Sequence, residues 1–417
     1  MQTLTRRDFL KTAMVTPWAV AWPGWMPRLA FAPRYTGPRG DTLVVLFLRG
    51  AADVLNMVVP HGEEAYYRLR PTLGVARPDD GRANPGERVL DLDGFFGLHP
   101  ALAPLLAPWQ AGHLAPVHAV GAPDESRSHF KAMALMERGV EDERGPATGW
   151  IGRHLALLDT GNSSPLRAIG LGQNPQQSLR GPVPVTALQS IADFHLGGDL
   201  RAAAQMRASL AALYAGGEPL DVIGRETLEI LDTLEALDPA AYLPQGAAVY
   251  PESELGLGLR QVAMLIKAEA GLEVAAIDLG GWDTHFGQGV LLGNMPSLMT
   301  DLAAGLAAFH ADMVDYLGKL TVVVMSEFGR RAYENASLGT DHGHGSMMLL
   351  MGGNVMGGRV HTLWPGLAEG QLFGPGDLAV TIDYRDVLAE VLSKRMGNPA
   401  VGEVFPEFGI NAVGALR

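Results

Sequence analysis

Three continuous apolar runs constrain the fold more than any other feature of the chain: DTLVVLFLRG (41–50), LEVAAIDLGG (272–281) and LTVVVMSEFG (320–329). Each is short, rich in Val, Leu or Ile and closed by turn residues, as expected of a strand covered on both faces. The second follows the helical segment LGLGLRQVAMLIKAEAG, and the third follows SLMTDLAAGLAAFHADMVDYLGK. Helix then buried strand, repeated, predicts an α/β fold with a central, mostly parallel sheet and helices on both faces. SMMLLMGG (346–353) reads as a further strand, and DYRDVLAEVLSKRM as a late helix after DLAVTID. Between about 185 and 250 the chain is Ala- and Leu-rich with helical periodicity and no strand runs, which predicts a mostly helical insertion in one α/β domain spanning 33–417.

The first 32 residues read as an address. TRRDFLK places Arg6 and Arg7 before Phe9, Leu10 and Lys11, and an apolar stretch then ends at Ala30-Phe31-Ala32, a small-x-small cleavage site. This is the form of a twin-arginine export signal, with the twin-arginine translocase as the partner during export and a periplasmic or secreted product. The alternative is an amphipathic first helix, which Pro17 and Pro23 would interrupt. No other segment offers some twenty uninterrupted apolar residues, so a permanent membrane span is not expected.

Composition removes several chemistries. The chain has no cysteine, which excludes disulfides, thiolate ligands and cysteine nucleophiles and leaves His, Asp, Glu or hydroxyl groups for any metal. A formal charge of −13 without a clustered basic run argues against nucleic acid as a partner.

Open parallel sheets place ligands at the carboxyl ends of their strands, so the residues that follow each apolar run are the candidates. The first run leads to Arg49, Asp53 and Asn56, the second to Asp278, Asp283 and His285, and the third to Ser326, Glu327, Arg330 and Arg331. GTDHGHG (339–345) adds Asp341, His342 and His344, and GAPDESRSHFKAM adds Ser126, Arg127, Ser128 and His129 before a helical pattern. Each has a structural reading as well. Asp283 and Ser128 are ordinary helix N-caps, with His129 then a buried core residue. Glu327 with Arg330 or Arg331 makes a common ion pair. His99 and His118 on apolar stretches read as core residues. Convergence of acids and imidazoles on one sheet edge favours a divalent metal site.

LRGAADVLNMVVP, SRSHFKAM, GWIGRHL, GGWDTH, SEFGRR and DHGHG followed by GGNVMGGRV resemble the twin-arginine-exported domain-of-unknown-function family 1501 over nearly the whole mature chain. That family in turn resembles the alkaline phosphatase and sulfatase superfamily. The resemblance implies an alkaline-phosphatase-like fold, divalent metal and a hydroxyl nucleophile at the strand ends. Carried over by position, it implies Asp53 as an early metal ligand, Ser128 or else Ser126 as nucleophile, and Asp283 and His285 as a metal pair. Asp341 with His342 or His344 forms the late ligand loop. Glu327 stands where the superfamily has an aspartate, and Phe328 replaces the histidine of a second metal. One metal, held by Asp283, His285 and His342 or His344, is the set the resemblance supports best.

These readings predict a metal-dependent hydrolase of phosphate or sulfate esters. Zinc, calcium or manganese would acidify Ser128 or a water, and Arg127 or Arg49 would hold the anion. Its substrate would be a small anionic ester or a sulfated or phosphorylated glycan. The rival reading is a catalytically degenerate hydrolase fold that binds a ligand or partner in the cell envelope.

Overall fold

The computed structural model describes residues 41–417 apart from 173–174, 189–195, 197–198, 238, 240 and 247; the segment 1–32, read from sequence as an export signal, lies outside the described residues. Eight strands make the main sheet: β1 (Thr42–Leu48), β2 (Leu114–Gly121), β3 (Ala168–Leu171), β4 (Thr186–Leu188), β5 (Val274–Leu279), β6 (Leu320–Ser326), β7 (Ser346–Met351) and β8 (Ile382–Asp383). Their order is β8-β2-β7-β6-β1-β5-β3-β4. All the neighbouring pairs are parallel except those of β7, which runs antiparallel to both β2 and β6. The predicted mostly parallel sheet is present. The apolar run SMMLLM is a strand whose reversed direction its residues do not encode.

Strand alternation shows why β1 is apolar throughout. Val44, Leu46 and Leu48 belong to one buried cluster, and Leu43, Val45 and Phe47 to another on the opposite face. Helices α1 (Glu64–Leu69), α2 (His129–Arg138), α3 (Trp150–Leu157), α4 (Leu200–Leu213), α5 (Pro219–Leu237), α6 (Glu254–Lys267), α7 (Asn294–Asp312) and α8 (Tyr384–Lys394) surround the sheet. Leu255, Leu259 and Val262 of α6 join Leu302, Leu306 and Phe309 of α7 on the first face. Trp150 and Ile151 of α3 with Val387, Leu388 and Val391 of α8 cover the second. Apolar side chains on both faces leave no wet side, which is the condition for continuous hydrophobic strands.

Helices α4 and α5 occupy much of the stretch read as a helical insertion. Its first residues differ from that reading, because Thr186–Leu188 pair with β3 and form the sheet edge. Three residues are too few to show strand periodicity in a sequence.

β1 lies between β5 and β6, so the loops after the three long apolar runs emerge side by side. β2 runs in the same direction and carries the chain towards α2, while antiparallel β7 begins at that same edge after GTDHGHG. Five adjacent strands therefore deliver their loops to one edge.

Candidate metal centre

Three imidazoles and one carboxylate meet at that edge. His342 Nε2 lies 2.9 Å from His129 Nε2, 2.8 Å from His285 Nε2 and 3.1 Å from Asp283 Oδ1. His285 Nε2 is 3.1 Å and His129 Nε2 3.6 Å from the same Asp283 oxygen. Ligand atoms of His129, Asp283 and His342 all fall within 4.8 Å of one another.

The opposite ring nitrogens decide the tautomers. His342 Nδ1 is 3.0 Å from the carbonyl oxygen of Arg127, which can only accept, so Nδ1 carries the hydrogen. His129 Nδ1 lies 2.7 Å from Glu327 Oε1 and His285 Nδ1 lies 3.1 Å from Asp341 Oδ1, so these carboxylate oxygens also take a hydrogen from Nδ1. Each neutral ring is then left with a lone pair on Nε2, and the three lone pairs point together beside Asp283. With all three rings neutral, no hydrogen remains to bridge them. Four converging donors with nothing to share is a ligand set for a cation, and imidazole backed by carboxylate or carbonyl is the usual orientation of a metal-bound histidine.

The electrostatics agree with this. Burial acts to raise the Asp283 carboxyl, but the hydrogen bond and positive charge of Arg330, with the neighbouring imidazoles assisting, outweigh it and hold the group at about 2. The Glu327 hydrogen bond raises His129 against the opposing effect of burial, so its neighbours favour added positive charge. Burial lowers His342 and keeps it neutral, as a ligand must be. Asp341 is lowered chiefly by the Asn335 hydrogen bond, with burial opposing and His285 assisting. Asp283 keeps 48% of its side chain exposed and the three histidines 20–29%, so the cluster opens to solvent.

Buried hydrogen bonds fix the loops. Arg330, 1% exposed, donates to the carbonyls of Ala51, Thr340, Gly50 and Trp282 and to Asp283 Oδ1. One guanidinium thus ties together the loops after β1, β5 and β6. Gly50 has φ +117°, and a Cβ there would stand 2.5 Å from the Asp283 amide. In GTDHGHG, a Cβ on Gly339 would meet the His285 carbonyl at 2.3 Å, so glycine is what lets this loop approach the other ligand loop.

The structure sorts the residues singled out from sequence. It brings together Asp283, His285 and His342. Asp341 stands behind His285, also receiving Asn335 Nδ2 at 3.0 Å, and orients that ring. Glu327 stands behind His129, its oxygens further occupied by the Gly50 amide and the Ser326 hydroxyl. His344 is turned away, stacked on Phe373 with ring centroids 4.7 Å apart. Of the two loop histidines, His342 is the one at the cluster.

Asp53 is a correction. Its oxygens take a two-pronged bond from Arg70 (2.6 and 2.9 Å) and one from Gln288 (2.6 Å), and the pair is completely buried. A fully buried carboxylate committed to Arg70 and Gln288 is not part of the cluster. Arg49 and Arg127 are likewise committed: Arg49 lies 2.8 Å from both Glu137 and Asp278, and Arg127 is bonded to buried Asp377. What Arg127 gives the cluster is its backbone carbonyl. Ser128 occupies the N-cap of α2 without making the capping bond, and its side chain is exposed and uncommitted.

His129 is the member of the cluster that the sequence left outside the expected ligand set, as a histidine following a helix N-cap and buried in the core. Its signal was its place one residue after a candidate nucleophile at a strand–helix junction. Phe328 packs its ring against His129 (centroids 5.0 Å, 30°) and His342 (5.2 Å), so an apolar wall lines one side of the cluster.

Comparison with curated proteins returns no match. Among solved structures, similar ones include the C-terminal periplasmic domain of EcEptC from Escherichia coli, at 11% identity, TM-score 0.35, and coverage of 90% of this chain and 89% of that one. Another is a protein in the alkaline phosphatase superfamily from Vibrio parahaemolyticus, at 9% identity and TM-score 0.34, covering 91% of this chain and 73% of that one. A zinc complex of the EcEptC domain gives 12% identity and TM-score 0.29, with 75% and 73% covered. The family model described as protein of unknown function (DUF1501) matches residues 41–404, and the chain belongs to that family.

Proposed function

We propose that this protein is an exported hydrolase of phosphate or sulfate esters that depends on one divalent cation held by Asp283, His129, His285 and His342. The observation that carries the reading is the convergence of three Nε2 lone pairs on an ionised carboxylate, each ring fixed from behind through Nδ1. A nitrogen-rich set of this kind suits zinc better than calcium, which prefers oxygen ligands. When bound, the cation acts as a Lewis acid towards the ester oxygens and acidifies a nearby hydroxyl or water.

The chain's own groups do the rest. Glu327, Asp341 and the Arg127 carbonyl hold the hydrogens on Nδ1 and so keep the Nε2 lone pairs forward. Ser128, next to His129 and free of any capping bond, is the proposed nucleophile. The half-exposed Asp283 leaves an approach for a small anionic ester or an esterified glycan. No helix among the described residues is long and apolar enough to cross a membrane, and the Arg6-Arg7 signal supports export through the twin-arginine translocase to the periplasm or beyond.

The test is metal content of the purified mature protein alongside turnover of aryl phosphates and sulfates. About one zinc per chain is expected, lost in His342→Ala and retained in His344→Ala. Ser128→Ala should keep the metal and lose about 100-fold or more in kcat. A wild-type protein that binds no divalent cation stoichiometrically after loading would overturn the reading. Stoichiometric metal with no turnover of any ester would favour the binding-protein alternative.

A further inference from the structure

One buried amide stands between the two loops that carry His285 and His342. Gln288 and Thr340 are fully enclosed, and Thr284 is only 3% exposed. Gln288 Oε1 accepts from the Thr284 hydroxyl at 2.9 Å and from the Thr340 hydroxyl at 2.8 Å, so both lone pairs of that oxygen are used. Gln288 Nε2 donates to Asp53 Oδ2 at 2.6 Å. That carboxylate oxygen, which also receives Arg70 Nη1, can only accept, so the amide has one orientation and cannot turn over.

The two threonines hold particular places in the site. Thr284 precedes His285, and Thr340 precedes Asp341, the carboxylate whose Oδ1 lies 3.1 Å from His285 Nδ1. One oxygen thus fixes the residue before each member of the His285 and Asp341 pair. The backbone frames the same approach: the Gln288 amide donates to the Leu338 carbonyl at 2.8 Å, and the Thr340 amide to the Thr284 carbonyl at 3.3 Å. The second of these is long for an N–H to carbonyl bond, so at the end of the frame nearest the cluster the side-chain bonds are the tighter connection.

We propose that Gln288 is a positioning residue of the metal centre: through Thr284 and Thr340 it holds His285 Nδ1 on Asp341 and so keeps His285 Nε2 aimed at the cation. The inference rests on the metal-centre reading above and concerns cation affinity, whether or not an ester is turned over. Asp53 is then tied to the centre without being a ligand, because it fixes which end of the amide faces the threonines.

The test is zinc affinity of the folded mature chain, measured by chelator competition. Thr284→Val with Thr340→Val keeps the branched shape and removes both hydroxyls, and since the amide cannot turn over to compensate, zinc affinity should fall about tenfold. Thr284→Ser with Thr340→Ser keeps the hydroxyls and should stay within about twofold of wild type. Each single valine variant should cost about threefold, which keeps the proposal falsifiable if the pair does not fold. Tyr250→Phe is the control. It removes a 2.7 Å bond to Asp312, which closes α7 at the sheet edge opposite the cluster, and should lower stability with zinc affinity unchanged. In a His285→Ala background the valine pair should weaken binding by less than about twofold, because its effect runs through that ring. Valine variants that bind zinc as wild type does, serine variants as weak as the valine ones, or an undiminished loss without His285 overturns the proposal. A wild-type chain that takes up no zinc overturns the metal-centre reading and this inference with it. The expected pattern of affinities in a chain that hydrolyses no ester supports the inference and removes only the hydrolase reading.

Discussion

Two carboxylates follow strands of the same sheet, and their partners make them different objects. Asp53, after β1, is fully buried and saturated by Arg70 and Gln288. Asp283, after β5, is 48% exposed and faces three imidazole lone pairs. The first is a closed charge pair that holds loops. The second is an open donor set, and the two touch the same machinery, because Gln288 also accepts from Thr284 and Thr340, next to His285 and near His342. Position at a strand end makes a residue available; the hydrogens on its neighbours decide whether it becomes a ligand.

The sharpest way to break this contrast is to remove Asp53. Leaving the buried Arg70 guanidinium unpaired should cost about 3–5 kcal/mol of stability in Asp53→Ala, measured by denaturant unfolding. The protein that remains folded should still bind about one metal. A folded variant with wild-type stability and no metal would reverse the assignment and make Asp53 a ligand. Next in size is Glu327→Gln, which keeps the shape but replaces a carboxylate behind His129 by an amide. Metal affinity should fall about 10- to 100-fold, as for other groups that hold a ligand from behind, with little loss of stability. Asn335→Ala comes third. It removes one of two donors to Asp341 and a bond to the His285 carbonyl, and metal affinity measured by chelator competition should weaken by about two- to tenfold.

Most of the architecture is written in the sequence because buried parallel strands need unbroken apolar runs. The runs at 41–50, 272–281 and 320–329 became Thr42–Leu48, Val274–Leu279 and Leu320–Ser326, with the trimmed residues forming the loops that carry the site. β3 and β4 were not legible, since four and three residues carry no period. The site was half legible for a related reason. Asp283, His285 and His342 stand out as polar residues beside glycine turns, whereas His129 looks like any histidine in the first turn of a helix. What marks it is the 2.9 Å approach of its Nε2 to that of His342 across 213 residues, which only the tertiary fold creates. Asp53 misled because Arg70, its partner, lies 17 residues on, beyond the end of α1 and outside any motif.

Histidines offer the smallest test of the same contrast, between closed and open polar sites. His118 and His99 are enclosed, their Nε2 atoms facing the carbonyls of Val58 and Val290, and burial pushes both down from the ordinary 6.5 to about 4. Between those values the unfolded chain takes up the proton and the folded one does not. The unfolded state therefore binds more protons, and stability rises with pH in this window. The contribution is complete above about pH 6.5 and declines as pH falls towards about 4. At pH 6 each ring should already have lost roughly 0.8 kcal/mol of its high-pH contribution. His118→Gln, compared with wild type by urea unfolding at pH 8 and pH 6, should show the smaller pH-dependent drop, by about that amount. An equal drop in both proteins would mean that His118 titrates alike folded and unfolded, and is not the closed site its burial describes.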